Sequence, residues 1–371
     1  MSAASDTLIV LATATTGTAV LTPVARMVAF KIGAVVTPDE RRVHERPTAT
    51  LGGAAMFLAF LASFAVASRL ETFEQVFTRS SEPLGVVIGA AIIFLVGAVD
   101  DLRPVSAPAK IAGQALAGSS LYLLGVTLFF VRIPFGGLWG LSPDIIPLIT
   151  VFWVVMMANA INFIDGLDGL AAGIVAIAAG AFYLYSQELL DAGLITPANG
   201  GPLIALVGLG LCLGFLPHNF YPARIFMGDS GALLLGLLMA ASTMTVGGRV
   251  VDQFSGQVFF FFAPMLIPLV VLGVPLFDTA WATVRRARSG VPVSQADKFH
   301  LHHRLMRLGH GHRRSVLILW GWTALLSGVV LFPTITGDGD GVVPFVVAGL
   351  GLLLYTMFHR GVRNTRETEA V

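Results

Sequence analysis

Charge is what this sequence has least of. Asp, Glu, Lys and Arg make up 12% of its 371 residues, about half the share of a soluble domain, while 55% are hydrophobic. A soluble globular chain is thereby excluded, and a membrane protein is expected. Cysteine is all but missing. Cys212 stands alone inside an apolar run, which rules out an intramolecular disulfide, a Cys-x-x-Cys pair and a Cys/His zinc framework. The first apolar run, about residues 8–32, has no basic segment before it and leads straight into a polar motif. It reads as a first span rather than a cleavable signal.

What is present is a succession of apolar runs, each about the 17–25 residues needed to cross a bilayer. They fall near residues 7–31, 51–69, 84–99, 109–131, 146–164, 168–187, 201–216, 229–247, 257–278, 315–333 and 343–359. The expected fold is an all-α polytopic integral membrane protein of about eleven transmembrane helices, forming one membrane-embedded domain over residues 1–371 with no soluble domain. With the N-terminus outside, eighteen Lys and Arg lie in inner loops and tail against four outside, with Arg26 left at the end of the first span. That asymmetry sets the orientation and puts the C-terminus in the cytoplasm. The polar loops at about 32–50, 100–108, 162–168, 217–228 and 279–314, with all eight histidines, then face the cytoplasm.

Five polar constellations occupy those loops. The stretch Asn159 to Gly173 spaces Asn159, Asn162, Asp165 and Asp168 by three residues, with Gly166 and Gly169 directly behind the acids. On a regular helix that spacing drifts about half-way round the axis, so the four groups converge only if the backbone breaks at the glycines. A broken backbone at membrane depth is tolerated where protein or a watery cavity covers it. The ligand alternation of an EF-hand is missing. Asp100 and Asp101 end an apolar run, where the helix dipole disfavours negative charge. Capping is therefore a poor account of the pair, and a hard cation such as Mg²⁺ a better one; Lys110, one loop away, suits a phosphate.

The first inner loop carries Arg41, Arg42, His44 and Arg46 ahead of Gly52 and Gly53. It can hold an anion through its cations and free helix-start N–H groups, or serve only as a positive-inside anchor. Asp229 begins an apolar run and reads either as a helix cap or as part of a phosphate site, while Asn219 and Phe226 offer a polar edge and a stacking face to a base. The longest loop holds Asp278, three arginines, then His300, His302, His303 and Arg304, too dense for routine anchoring. A phosphate or sugar contact is favoured over zinc, since no Cys or fixed fourth ligand is near. A transporter would place its site near the midplane between repeated halves. These acids sit at span ends, and no repeat is visible.

Together, Pro38…Arg41-Arg42-Val-His44…Pro47…Gly52-Gly53, Asp100-Asp101…Pro104…Lys110, Asn159…Asn162-Phe-Ile-Asp165-Gly-Leu-Asp168-Gly, Phe226-Met-Gly-Asp229-Ser-Gly231 and Asp297-Lys-Phe-His300-Leu-His302-His303-Arg304 resemble the polyprenyl-phosphate N-acetylhexosamine-1-phosphate transferases, over nearly the whole chain. The His-Leu-His-His form resembles the WecA- and TagO-like branch more than the muramoyl-pentapeptide branch of MraY. The resemblance implies transfer of GlcNAc-1-phosphate from UDP-GlcNAc to a polyprenyl phosphate, undecaprenyl or decaprenyl, with release of UMP. It implies Mg²⁺, with Mn²⁺ as a substitute, and a multi-pass inner-membrane protein whose site faces the cytoplasm. The partners implied are the two substrates and the lipid bilayer, with no nucleic acid and with a homodimer left open.

Carried over by position, Asp229 resembles the metal ligand with Asp100 and Asp101 beside it, and Asp100 resembles the group that positions the lipid phosphate. Gly166, Leu167, Asp168, Asn219 and Phe226, with Asn162, resemble the nucleotide pocket. Asp165 is a further family acid. His44, Arg46 and Lys110 resemble phosphate or sugar contacts, and His300, His302, His303 and Arg304 the group that meets diphosphate and sugar. The chain departs from the pattern at Ala49 and Thr50, where relatives usually carry Pro and Arg, and at Ala232, where they carry a second Ser.

Overall fold

The computed structural model describes residues 2–36, 47–133, 137–247, 311–336 and 343–358, with positions 284 and 288. Its frame is helical: α1 (Ala3–Ile32), α2 (Gly52–Ala67), α3 (Glu74–Thr78), α4 (Glu82–Leu102), α5 (Ala107–Leu123), α6 (Ile146–Ile164), α7 (Leu170–Asp191), α8 (Gly201–Asn219), α9 (Gly228–Gly247), α10 (His312–Thr336) and α11 (Val343–Phe358). Among the described residues six helices are long and apolar enough to cross a membrane. A seventh span is reached if α2 is joined to the short turn Glu71–Phe73 and α3, across a bend of 94°. The run at 257–278 lies outside the described residues.

The shortest apolar run, at 201–216, is helical from Gly201 to Asn219 despite its glycines and Pro217. Away from water a backbone has to satisfy its own hydrogen bonds, and a helix does so within one segment. The run at 109–131 is the opposite case, because α5 stops at Leu123. There Val126 N–H closes on the Leu121 carbonyl and Gly125 N–H on that of Tyr122, the paired bonds of a Schellman end. The chain then enters β3 (Phe130–Ile133), antiparallel to β4 (Gly137–Gly140). A second pair, β1 (Val35–Val36) with β2 (Thr48–Ala49), closes the first polar loop at its base. These short strands are additions to a frame that stays all-α among the described residues. Two to four residues are too few to show a period-two pattern.

Helix α9 is the axis of the bundle. It is apolar all round, as a helix enclosed by others must be, and α2, α4, α6 and α8 pack about it. Helix α1 leans on α2 and α8 through a line of small residues. Ala14 and Thr15 meet Gly210 and Gly214 so closely that a methyl group on Gly214 would stand 2.2 Å from the Thr15 carbonyl oxygen. Small residues let membrane helices approach in this way. The opposite face of α1 exposes Val20, Val24, Met27 and Val28, a surface suited to lipid.

This connectivity gathers one set of helix ends. The start of α2, the end of α4, the start of α5, the α6–α7 break, the α8–α9 turn and the start of α10 meet at the same end of the bundle, bringing together residues from distant parts of the sequence.

Candidate active site

At the centre of that end, the Lys110 ammonium bridges two carboxylates. It lies 2.7 Å from Asp100 Oδ2 and is also bonded to Asp229 Oδ2. Lys110 comes from the first turn of α5, Asp100 from the last turn of α4 and Asp229 from the first turn of α9. The second oxygen of Asp100 accepts the Val105 N–H at 2.7 Å, which fixes the loop between α4 and α5.

Asp101 plays a different part. Its Oδ1 accepts the Asp229 N–H at 2.8 Å and the Thr50 hydroxyl at 3.3 Å. Its Oδ2 accepts the Ser230 N–H at 3.2 Å and the Ser230 hydroxyl at 2.6 Å. The carboxylate thus caps α9 from another helix, answering helix-start N–H groups that have no partner within their own helix. Capping was a poor account of this pair only while α4 alone was considered. The N-terminus of α9 favours the charge that the C-terminus of α4 opposes. The local cap expected of Asp229 is supplied instead by Asp101, which leaves the Asp229 side chain to Lys110.

Asp101→Asn is accordingly expected to destabilise the fold by about 1–3 kcal/mol. Whichever way the amide turns, its NH₂ meets a donor of α9. Thermal melting in detergent checks this, and an unchanged transition contradicts the capping role.

The α6–α7 break lies where the glycines indicate it. Helix α6 ends at Ile164, and Gly169 takes φ +77° just before α7, a backbone shape that costs glycine little. Asp165 sits in the break. Desolvation, then the charges of Asp229, Asp101 and Asp168, push its carboxyl up to about 8. Asp168, 3% exposed, accepts the Ala223 N–H at 2.8 Å. Asn219, 2% exposed, accepts from Gly169 N–H and donates to the Ile225 carbonyl, each at 3.0 Å. Both therefore zip residues 165–169 to residues 219–225. Leu167 is buried beneath this turn, Gly166 is exposed, and Asn162 and Phe226 are partly buried nearby.

Two expectations change. Asn159 does not converge with the acids. Its Nδ2 donates to Gln114 Oε1 at 2.6 Å and to the Val155 carbonyl at 2.7 Å, so it joins α5 to α6. The N–H groups at the start of α2 are not free for an anion either. Gly52 donates to the Phe226 carbonyl at 3.0 Å and Gly53 to that of Met227 at 2.9 Å. His44, Arg46, His300, His302, His303 and Arg304 lie outside the described residues. Sequence reasoning passed over Thr50, Ser230 and Gln114 as contributors. Ser230 had a signal, a hydroxyl in the first turn of a helix, whereas Gln114 looks like any amide in an apolar run.

Among the described residues no group of three or more His, Cys, Asp or Glu is arranged to hold a metal. The donor set still suits a hard divalent ion. Asp100 and Asp229 already converge on one cationic group, and Mg²⁺ typically takes only one or two carboxylates, with water and phosphate completing its shell.

Glycosyl transferase family 4 matches residues 83–247, from the start of α4 to the end of α9. A decaprenyl-phosphate N-acetylglucosaminephosphotransferase of Mycobacterium tuberculosis is 42% identical over 307 residues, covering 81% of this chain and 76% of that protein. A probable undecaprenyl-phosphate N-acetylglucosaminyl 1-phosphate transferase of Bacillus subtilis is 36% identical, covering 84% and 81%. A phospho-N-acetylmuramoyl-pentapeptide-transferase of Desulforudis audaxviator is 33% identical, covering 76% and 82%. The acids at one end of an apolar bundle and this likeness along most of the chain lead to one assignment: the chain belongs to glycosyl transferase family 4, with the polyprenyl-phosphate N-acetylhexosamine-1-phosphate transferases.

Proposed function

We propose that this protein transfers GlcNAc-1-phosphate from UDP-GlcNAc to a polyprenyl phosphate at the inner leaflet, as the initiating step of a lipid-linked envelope glycan. The observation that carries the reading is the Asp100–Lys110–Asp229 bridge, set at the end of an apolar bundle in a chain whose relatives are named for this transfer. A soluble nucleotide sugar and a lipid phosphate meet only at a membrane surface, and the bridge stands at helix ends rather than mid-span. The eleven apolar runs support eleven spans, and the arginine and lysine asymmetry between their loops supports an outside N-terminus and a site facing the cytoplasm.

In the proposed reaction an oxygen of the lipid phosphate attacks the sugar-linked phosphorus of UDP-GlcNAc. The bond from that phosphorus to the bridging oxygen breaks, and UMP leaves with its electron pair. The attacking oxygen already carries charge at neutral pH, so positioning and neutralisation matter more than a strong base. Asp100 and Asp229 hold the Lys110 ammonium between them, where it meets the entering phosphates and orients the acceptor. Asp101 and Thr50 hold the start of α9, and with it Asp229, in register. Asp168 and Asn219 keep the 165–169 and 219–225 segments together as the nucleotide wall, with Phe226 beside it as the stacking contact for the base. Asp100 and Asp229 would hold Mg²⁺ or Mn²⁺, which when bound offsets charge on the departing phosphate.

The test is a panel of UDP-sugars with polyprenyl phosphates of different length, reading UMP and lipid product from the purified protein. UDP-GlcNAc is expected to give lipid-dependent UMP release. Preference for another UDP-N-acetylhexosamine would move the assignment within the family, and release independent of lipid phosphate would end it. Direct attack also predicts no phospho-aspartyl adduct after incubation with UDP-GlcNAc alone. A mass shift on an aspartyl peptide under those conditions would favour a covalent path.

A further inference from the structure

The residues His312, Arg313 and Arg314 stand at the functional end of the bundle, yet the chemistry above gives them no part. Arg313 is exposed at the first turn of α10. Its Nε and one Nη both donate to the Tyr221 carbonyl oxygen, at 3.2 and 3.1 Å, and its guanidinium carbon lies 5.7 Å from the Tyr221 ring centroid. The His312 imidazole stacks on the same ring, 4.4 Å between centroids and 27° between planes. One turn-forming residue is thus gripped at its carbonyl and its ring by two neighbours on another helix. A guanidinium giving two bonds to one carbonyl is charge-assisted, stronger than a bond between neutral groups.

Tyr221 lies in the middle of the segment that faces the α6–α7 break. Two residues earlier, Asn219 joins Gly169 to Ile225. Two residues later, Ala223 N–H is held by Asp168. Between them the Phe220 ring lies 5.7 Å from that of Trp320 on α10, and a methyl group on Gly169 would come within 3.1 Å of it. Residues 219–225 are therefore fixed from one side by the Asp168–Gly169 turn and from the other by α10. From the α10 side, Arg313 adds a polar grip on Tyr221.

We infer that Arg313, with His312 stacked beside it, is a positioning residue for the nucleotide: its grip on Tyr221 keeps the Asp168–Asn219 wall in the form that receives the uridine diphosphate moiety. This rests on the reading of that wall as the nucleotide pocket. Arg313 acts through Tyr221 and has no contact with the reacting phosphates, so it sets nucleotide affinity rather than the chemical step. A guanidinium is needed because a lysine ammonium presents no planar fork to a single carbonyl.

The experiment uses the full-length protein in detergent and measures UDP affinity by calorimetry beside KM and kcat. Arg313→Ala is expected to raise the UDP dissociation constant and KM for UDP-GlcNAc about five- to tenfold, the range of modest long-range coupling. The values of kcat, KM for the lipid and the melting transition should stay within about twofold of wild type. Arg313→Lys is expected to recover less than half of the lost affinity, and Tyr221→Phe, which keeps ring and carbonyl, to bind as wild type. Unaltered UDP affinity in a folded Arg313→Ala or Arg313→Lys protein overturns the inference, as does an equal rise in KM for the lipid. Failure of the wild type itself to bind UDP overturns the nucleotide reading and the inference with it, so the two failures are told apart. Should Arg313→Ala not fold, Arg313→Lys and Arg313→Gln make the same comparison.

Discussion

Asp229→Asn, and likewise Asp100→Asn, is expected to lower lipid-dependent UMP release by about two to three orders of magnitude while the purified protein elutes and melts as wild type. Both carboxylates are partly exposed and share the Lys110 ammonium, so an isosteric amide removes charge without emptying volume. In Asp100 the amide oxygen can still accept the Val105 N–H, and the loop after α4 is kept. What is lost is one of the two negative charges that hold the Lys110 ammonium, which in the proposed reaction contributes during phosphoryl transfer rather than during folding. Rates within about tenfold of wild type in well-folded variants would remove these residues from the chemistry. Comparison with Asp101→Asn sharpens the test. That neighbour is expected to fail on stability as well, since its oxygens are already engaged by α9 and Thr50.

The contrast between Asp100 and Asp101 shows what the sequence could not say. Two adjacent acids at the end of an apolar run are chemically alike on paper, and composition alone makes both candidates for one cation. Their side chains leave α4 in different directions, so one meets Lys110 and the other the first turn of α9, 128 positions away in the chain. Contacts at that separation follow from topology, which no local pattern encodes. Thr50 makes the same point. Its hydroxyl donates to Asp101, 51 positions away in the chain.

The helices were legible because hydrophobic length is a strong signal in a membrane chain, and the α6–α7 break because glycine behind each acid is a backbone signal. Convergence was only partly legible. Asp165 and Asp168 turn toward the acidic end, but Asn159 lies one turn earlier on an intact helix, where it faces α5 and finds Gln114. The short strands carried no pattern long enough to see.

The glycines at the start of α2 were misread for a related reason, and they carry the largest expected effect on folding. Gly53→Ala should lose more than about 3 kcal/mol, enough to abolish a cooperative melt and a monodisperse elution. A methyl group there would stand 2.2 Å from the Gly231 nitrogen and 2.5 Å from the Ser230 carbonyl carbon. Those are backbone atoms, so no rotamer change relieves the overlap. From the far side a methyl group on Gly97 of α4 would stand 2.5 Å from the Ser230 Cα. The first turn of α9 is thus clasped between α2 and α4, and the clasp is possible only because both neighbours present hydrogen where other residues carry a side chain. The same turn carries Asp229 and takes the Asp101 cap, so a displacement of a few tenths of an ångström would reach the carboxylates directly. Gly180→Ala on α7 is the control. Its nearest neighbour is the flexible end of Leu209 at 3.7 Å, and a change within about 1 kcal/mol is expected there. If Gly53→Ala melts like Gly180→Ala, the two helices do not approach as closely as described. The Gly52–Gly53 pair would then return to its two first readings, an anion-binding helix start or part of a positive-inside anchor.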